Sequence, residues 1–273
     1  MALFAYTRQA LRHLTARLCT DLIKGTVTSP ASGSFVCAET DWEKPDDYFN
    51  DFIEVYCYSG TGAGTSGNPT AWTNSTHTLT FKPAATLTAG DLVEMHTRFT
   101  VAQYNDFINL AIEMVAREAL IYKVDTSTVL VTDTYSYTIP IQFLYINELE
   151  VESDTDDVYD GSLIVDRRYY KPVNGKLEFV KSLWTPTNAQ KLRIIGMASP
   201  SILDTDTEEC PLNPVYVANQ AAALLHQSMI RGNTTSGDDE LHRQQMVLCQ
   251  GMADRTRAGM RVSIGNGISV IED

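Results

Sequence analysis

The spacing between apolar residues changes repeatedly along this chain, and that alternation limits the fold more than any single motif does. Leu11, Leu14, Leu18 and Leu22 recur in steps of three and four, which predicts a helix over residues 3–24, ended by Gly25. From Ser29 to Thr97 the sequence turns to short β-branched or aromatic runs divided by Gly, Pro, Asn and Asp, the pattern of a small antiparallel β-module. Gly90, in its last turn, is placed to take a positive φ. Thr100 and Gln103 form a capping-box signature ahead of Tyr104, Ile108, Ala111, Val115 and Ala119, so a helix is expected over 101–122. A second β-rich block follows, with Asn174-Gly175 as a hairpin signal. The helical period then returns. Asn213 is positioned to cap and Pro214 to start a helix that carries Val217, Ala221, Leu225 and Met229 on one face, with Gly232-Asn233 as its stop. A last, more polar helix is expected over 238–259.

Blocks of helix and strand in this order give an expected fold class of α+β. It is a helical bundle (N-terminal helix, central helix, two C-terminal helices) combined with a small antiparallel β-module and a second β-rich block. The expected divisions are an N-terminal helix at 1–28 packing into the helical domain, the β-module at 29–98, a helical and β core at 99–260, and an extended C-terminal arm at 261–273. In that arm Val262 and Ile264, then Ile268 and Val270, alternate as a strand does, which would suit addition to the sheet edge of another chain.

Composition narrows the function classes. At 273 residues and 44% hydrophobic the chain can bury a real core. A net charge of −13 argues against wrapping nucleic acid with the whole surface, which needs clustered Lys and Arg, yet suits a channel that DNA passes without sticking. Cys19, Cys37, Cys57, Cys210 and Cys249 are odd in number and widely spaced, and are read as reduced, buried thiols of an intracellular protein. No apolar run reaches the roughly 20 residues that span a bilayer. Arg8, Arg12, His13 and Arg17 give residues 1–20 the look of a transit peptide, but the segment is expected to stay in the mature chain.

Searching for chemistry yields little. Residues 62–67 fit G-x-G-x-x-G, but strand-forming sequence follows them and no helix N-terminus is available for a pyrophosphate, so a glycine-rich hairpin loop is expected. His13, His77, His96, His226 and His242 lie far apart and form no ligand motif. The acidic run 152–161 lacks the ligand pattern of a calcium loop, and residues 203–210 read as an exposed acidic loop before a helix. Two Asn-x-Thr triplets, at Asn74 and Asn233, matter only in a secreted protein. No catalytic, cofactor or metal residue is assigned, and the chain is expected not to be an enzyme. Arg8 and Arg12, with Lys24, form either a solvated helix face or a contact with an acidic neighbour. Trp42, Trp72 and Tyr56 could serve a glycan-binding module if exposed, or a core if buried.

Two stretches carry a resemblance. Residues 47–64, with Gly60-Thr61-Gly62-Ala63-Gly64, continue through Ala89-Gly90-Asp91 into the helix beginning near Val101. This resembles the β-module and helix of tailed-bacteriophage neck proteins of the head–tail connector, or adaptor, family. Residues 192–227, where a strand ends near Pro200 and an acidic loop leads through Pro211 and Pro214 into an Ala/Leu-rich helix, resemble a second part of the same pattern. Thr65-Ser66-Gly67 departs from the polar and basic residues usual after the glycine turn. The resemblance implies a structural virion protein, assembled in the host bacterial cytoplasm and seated in the neck between capsid and tail. It further implies a ring, commonly of twelve copies, that docks on the portal protein, meets a tail or second neck protein, and passes DNA through its lumen without binding it specifically. Tail completion or tail tube proteins are the nearest alternatives. Expected interaction residues are Arg8, Arg12, Arg17, Ala221, Ala222, Leu225 and the arm residues Arg261, Val262, Ile264, Ile268 and Val270, with Ala221–Ala223 packing either within the subunit or between subunits.

Overall fold

A computed structural model describes residues 6–37, 39, 42–140, 143–153, 158–161, 163–230, 237–260 and 268–269. The chain is mixed α+β, and its contacts divide it into two compact units. The first is built from residues 1–114 and 202–259, the second from 115–201 and 260–273.

The chain opens with β1 (Tyr6–Thr7) and α1 (Arg8–Leu18), followed by β2 (Ile23–Thr26), β3 (Ser29–Ala31) and β4 (Ser34–Val36). Next come β5 (Glu54–Ser59), β6 (Ser66–Thr73), β7 (Thr78–Lys82), β8 (Leu92–His96) and α2 (Val101–Val115). Then follow β9 (Ile121–Val129), β10 (Ser136–Thr138), β11 (Phe143–Val151), β12 (Tyr170–Val173), β13 (Lys176–Phe179) and β14 (Lys191–Ala198). The last elements are β15 (Glu209–Cys210), α3 (Pro214–Met229), α4 (Gly237–Ala258) and β16 (Ile268–Ser269).

In the first unit seven antiparallel strands run in the order β2-β8-β5-β6-β7-β4-β3. β2 and β3 sit at opposite ends of that order, yet only Val27 and Thr28 separate them. Laid flat, the two edges would stand about 29 Å apart at ~4.8 Å per strand, while three Cα steps reach only ~11 Å. The sheet therefore curls back on itself: Val27 N–H still donates to Asp91 O on the β8 side at 2.9 Å, while the next residue, Thr28, donates to Val36 O on the β4 side at 2.9 Å. Its interior is filled by Trp42, Phe49, Trp72, Phe35, Phe81, Leu79, Val93 and Met95, with the Phe49 and Trp72 rings 4.9 Å apart. Gly25 lies inside β2, where a Cβ would come 2.5 Å from Cys37 Sγ and 2.7 Å from the Trp42 ring. It is thus a packing position, and the helix expected to run to residue 24 stops at Leu18. Thr20 takes φ of +53°, which breaks the helix, and the following residues gain more by pairing with β8.

Two expected caps form as read. Gln103 N–H donates to Thr100 Oγ1 at 3.2 Å while Thr100 N–H donates to Gln103 Oε1 at 2.9 Å. Asn213 Oδ1 accepts from Val215 N–H at 2.9 Å, with Pro214 at the first helical position. α2 ends at Val115 and not at 122, because Ile121, Val124 and Val129 are drawn into a sheet as part of β9. Ala221, Ala222 and Leu225 are fully buried in α3, which packs against α1 and α4, so the alanine run serves contacts within the chain. Gln220 and Gln250 exchange two 3.1 Å hydrogen bonds between α3 and α4. Residues 232–233, the expected stop of α3, lie outside the described residues, and the helix is complete at Met229.

The second unit holds a four-stranded sheet, β16-β11-β14-β9, and a three-stranded sheet, β10-β13-β12, all antiparallel. Asn174 and Gly175 take φ of +48° and +73° in the β12–β13 hairpin that their sequence announces. Leu149, Phe143, Leu177, Leu192 and Ile194 are buried in its core. The arm was expected to pair with another chain; its described part, Ile268–Ser269, pairs instead with Tyr145–Ile146 of the same chain. Arg261, Val262, Ile264 and Val270 lie outside the described residues.

Candidate functional site

A dense group of buried ionisable side chains lies in the first unit, between α1, β8 and the loop before β15. In β8, Val93 and Met95 point into the barrel, so the two-residue period of a strand turns Glu94 and His96 to its other face. α1 covers that face, and Arg12 and Glu94 are both fully buried. Arg12 Nε donates to Glu94 Oε1 at 2.8 Å, Nη1 donates to Asn105 Oδ1 at 3.1 Å and to Asp206 Oδ1 at 2.8 Å, and Nη2 donates to Asp206 Oδ2 at 2.8 Å. The guanidinium also sits 5.2 Å above the Tyr56 ring. Arg8 adds a 3.0 Å bond from Nε to Asp206 and a 2.8 Å bond from Nη1 to Leu203 O.

Two histidines flank Glu94. His13 Nε2 lies 2.5 Å from Oε2, and His96 Nε2 lies 3.9 Å from Oε1 while its Nδ1 is 2.7 Å from Asp21 O. Burial works against ionisation of Glu94, but the two histidines and Arg12 outweigh it and hold the carboxyl well below the usual carboxylate range. Burial also opposes a charge on His96, yet Glu94 and the Asp21 side raise its pKa above the ordinary histidine value. For His13 burial wins and its pKa falls. Desolvation disfavours charge on Asp206 and Arg12 as well; their mutual bidentate bonding overcomes it, lowering the carboxyl and raising the guanidinium.

Beside this cluster, the buried Asp21 carboxylate gathers the free amides ahead of α2. It accepts from Thr97 N–H at 2.5 Å, Arg98 N–H at 3.1 Å and Phe99 N–H at 3.1 Å, and from Tyr104 Oη at 2.9 Å. A second buried carboxylate organises the glycine-rich turn. Asp91 Oδ2 accepts from Gly62 N–H at 3.0 Å and Thr88 N–H at 2.7 Å, and a Cβ at Gly62 would stand 2.6 Å from that oxygen. The loop that resembles a phosphate cradle is closed around a carboxylate of its own chain.

These groups are directed at each other. Every oxygen of Asp206 and three nitrogens of Arg12 are engaged inside the unit, so the arrangement can lock α1, β8 and the 203–210 loop together. Among the described residues no group of three or more His, Cys, Asp or Glu is arranged to hold a metal ion. No helix among them is long and apolar enough to cross a membrane.

The expected interaction residues therefore separate. Arg12 is spent internally, which corrects its reading as a subunit contact and resolves the α1 face in favour of an acidic neighbour, Asp206. Arg8 pairs with the same carboxylate, whereas Arg17 is exposed. Ala221, Ala222 and Leu225 are interior. The 203–210 loop, expected to be solvated, carries the half-sheltered Asp206 and pairs through β15 with β1. Histidines scattered in sequence also meet: His226 Nδ1 is 2.9 Å from His242 Nδ1 between α3 and α4. What was missed in sequence is the role of Glu94 and His96, and the available signal was a strand whose off-core face carried an acid and a base with no turn residue nearby. Trp42 and Trp72 are 0% and 1% exposed, so neither indole offers a glycan a face to stack on, while Tyr56 is partly exposed.

The sequence matches no protein-family model and no curated protein.

Proposed function

We propose that this chain is a structural virion protein, a head–tail connector that forms a ring on the portal and joins a DNA-filled capsid to the tail. In this reading a helical bundle of α1, α2, α3 and α4 carries the β-barrel beside it, and twelve copies close the ring. The observation that carries the reading is the distribution of exposed apolar side chains. Leu110 and Met114 on α2, Tyr122 and Val124 on β9, and Leu241, Leu248 and Met252 on α4 all face solvent in the isolated chain. A ring needs two different faces per subunit that complement each other, and further faces for its axial partners, so apolar surface on several separate elements is what such a subunit requires.

Two features support it. The glycine turn and the Ala89-Gly90-Asp91 turn, on which the family resemblance rests, are bonded to one another through Asp91, so the motif serves a scaffold. The net charge of −13 suits a lumen that repels DNA and lets it slide. Co-expression with the portal protein followed by native mass spectrometry tests the proposal: a ring that co-purifies with portal is the expected product. A chain that stays monomeric with portal present, or that decorates the tail tube and not the neck in averaged particle images, would defeat it; the second outcome would favour a tail tube or tail completion role.

A further inference from the structure

α4 presents two unlike faces. Asp239, His242, Cys249 and Ala253 point inward and are buried, as the core side of a helix should be. The outward side is not simply polar. Leu241 is 45% exposed, Leu248 65% and Met252 45%, and with Gln245 they fall at the four-, three- and four-residue steps of a coiled-coil seam. Val247, 62% exposed, lies one 100° step round from Leu248 on the flank away from the seam, where Glu240, Arg243, Gln244, Val247 and Leu248 line a separate shallow groove.

The two ends of this helix differ in charge. Its first turn carries Asp238, Asp239 and Glu240, and its last turn carries Arg255 and Arg257, with Arg243 and Asp254 lying between. At the same spacing Asp238 and Arg255 continue the seam at its two ends. A second copy of α4 laid antiparallel sets Asp238 against the other copy's Arg255, Leu241 against its Met252 and Gln245 against its Leu248. A parallel copy would bring Asp238 to Asp238 and Arg255 to Arg255. We infer that α4 is the seam of a symmetric homodimer, formed by antiparallel pairing of two copies about a point between Gln245 and Leu248. A two-fold contact of this kind is self-complementary and closes at two. The dimer is thus a state distinct from the proposed ring, and it stands whether or not the connector reading holds. One helix of 22 residues, about 33 Å long, gives a contact at the low end of specific interfaces, so the pair forms at micromolar concentration and separates on dilution.

Sedimentation of the full chain from about 1 to about 200 µM, the range bracketing such affinities, should show a monomer–dimer equilibrium. Leu248→Asp should raise the dissociation constant at least about tenfold, since an ionised group would be trapped at the centre of the seam. Arg255→Glu should weaken the pair, and Arg255→Glu with Asp238→Arg should restore it. Under mild oxidation Leu248→Cys mixed with Gln245→Cys, and Leu241→Cys mixed with Met252→Cys, should give covalent dimers, whereas Leu241→Cys alone should not. A chain monomeric over the whole range, an oligomer whose mass Leu248→Asp leaves unchanged, or efficient self-linking of Leu241→Cys would overturn the inference.

Discussion

Replacing Arg12 with alanine removes the 2.8 Å guanidinium bond to Glu94 and leaves that carboxylate fully buried with His13 and His96 as its remaining neighbours. Breaking a buried pair from one side costs about 3–5 kcal/mol, because the remaining charge is unsolvated and loses its strongest cation. Asp206 loses its bidentate partner too, but it is 19% exposed and keeps Arg8, so its share is small. For a folding unit of 150–250 residues each kcal/mol moves the melting temperature by about 2–4 °C, which places the loss at about 6–20 °C. Trp42 and Trp72 report the first unit and Trp184 the second, so the shift should be followed by tryptophan fluorescence in a Trp184→Phe background. Arg12→Met combined with Glu94→Gln removes both charges at similar volume and should recover at least half of the loss. A shift under about 2 °C for Arg12→Ala would mean that water reaches Glu94 freely, and the argument from burial would fail.

Acid should act in two stages. The His226 imidazole is lowered to about 4 by burial, His242 and Arg98, so the folded chain holds fewer protons there than the unfolded chain between roughly pH 6.5 and 4. Stability is complete above that window and declines as pH falls through it; His226→Gln should flatten the decline in urea titrations. Glu94, also depressed, contributes stability that is present above the unfolded carboxylate value near pH 4.3 and lost only in stronger acid, a loss that Glu94→Gln should abolish. Gly25→Ala should cost about 1–3 kcal/mol in chemical denaturation by pressing on Cys37 and Trp42, and Trp42→Phe in the same chain should return part of it. In the native chain Cys37 and Cys57, both buried and pushed up to about 11, should react with a thiol reagent far more slowly than in urea.

Much of the element order was legible because its signals are local. The caps at Thr100 and Asn213, the Asn174-Gly175 hairpin and the positive φ of Gly90 each depend on residues within a few positions. The errors came where distant partners decide. Leu22 extends a helical period, yet residues 23–26 pair with a strand some seventy positions away. Most of the 203–210 loop is exposed as its sequence suggests, and nothing local marks Asp206 as the residue that meets an arginine with a sequence separation of 194. Polar residues in β8 look solvent-facing in sequence, since a strand's second face is usually wet; only α1 lying across it makes Glu94 interior.

That separation of 194 residues also has a temporal meaning. At about 5–20 residues per second a ribosome needs about 10–40 s to travel from Arg12 to Asp206, and everything assigned to the second unit up to Ser201 emerges in between. During that interval the guanidinium can reach Glu94 but not the carboxylate that completes its bonding. Residues 115–201 have time to assemble first, while β16 of the same unit and the closing contacts of the first unit wait on the final quarter of the message.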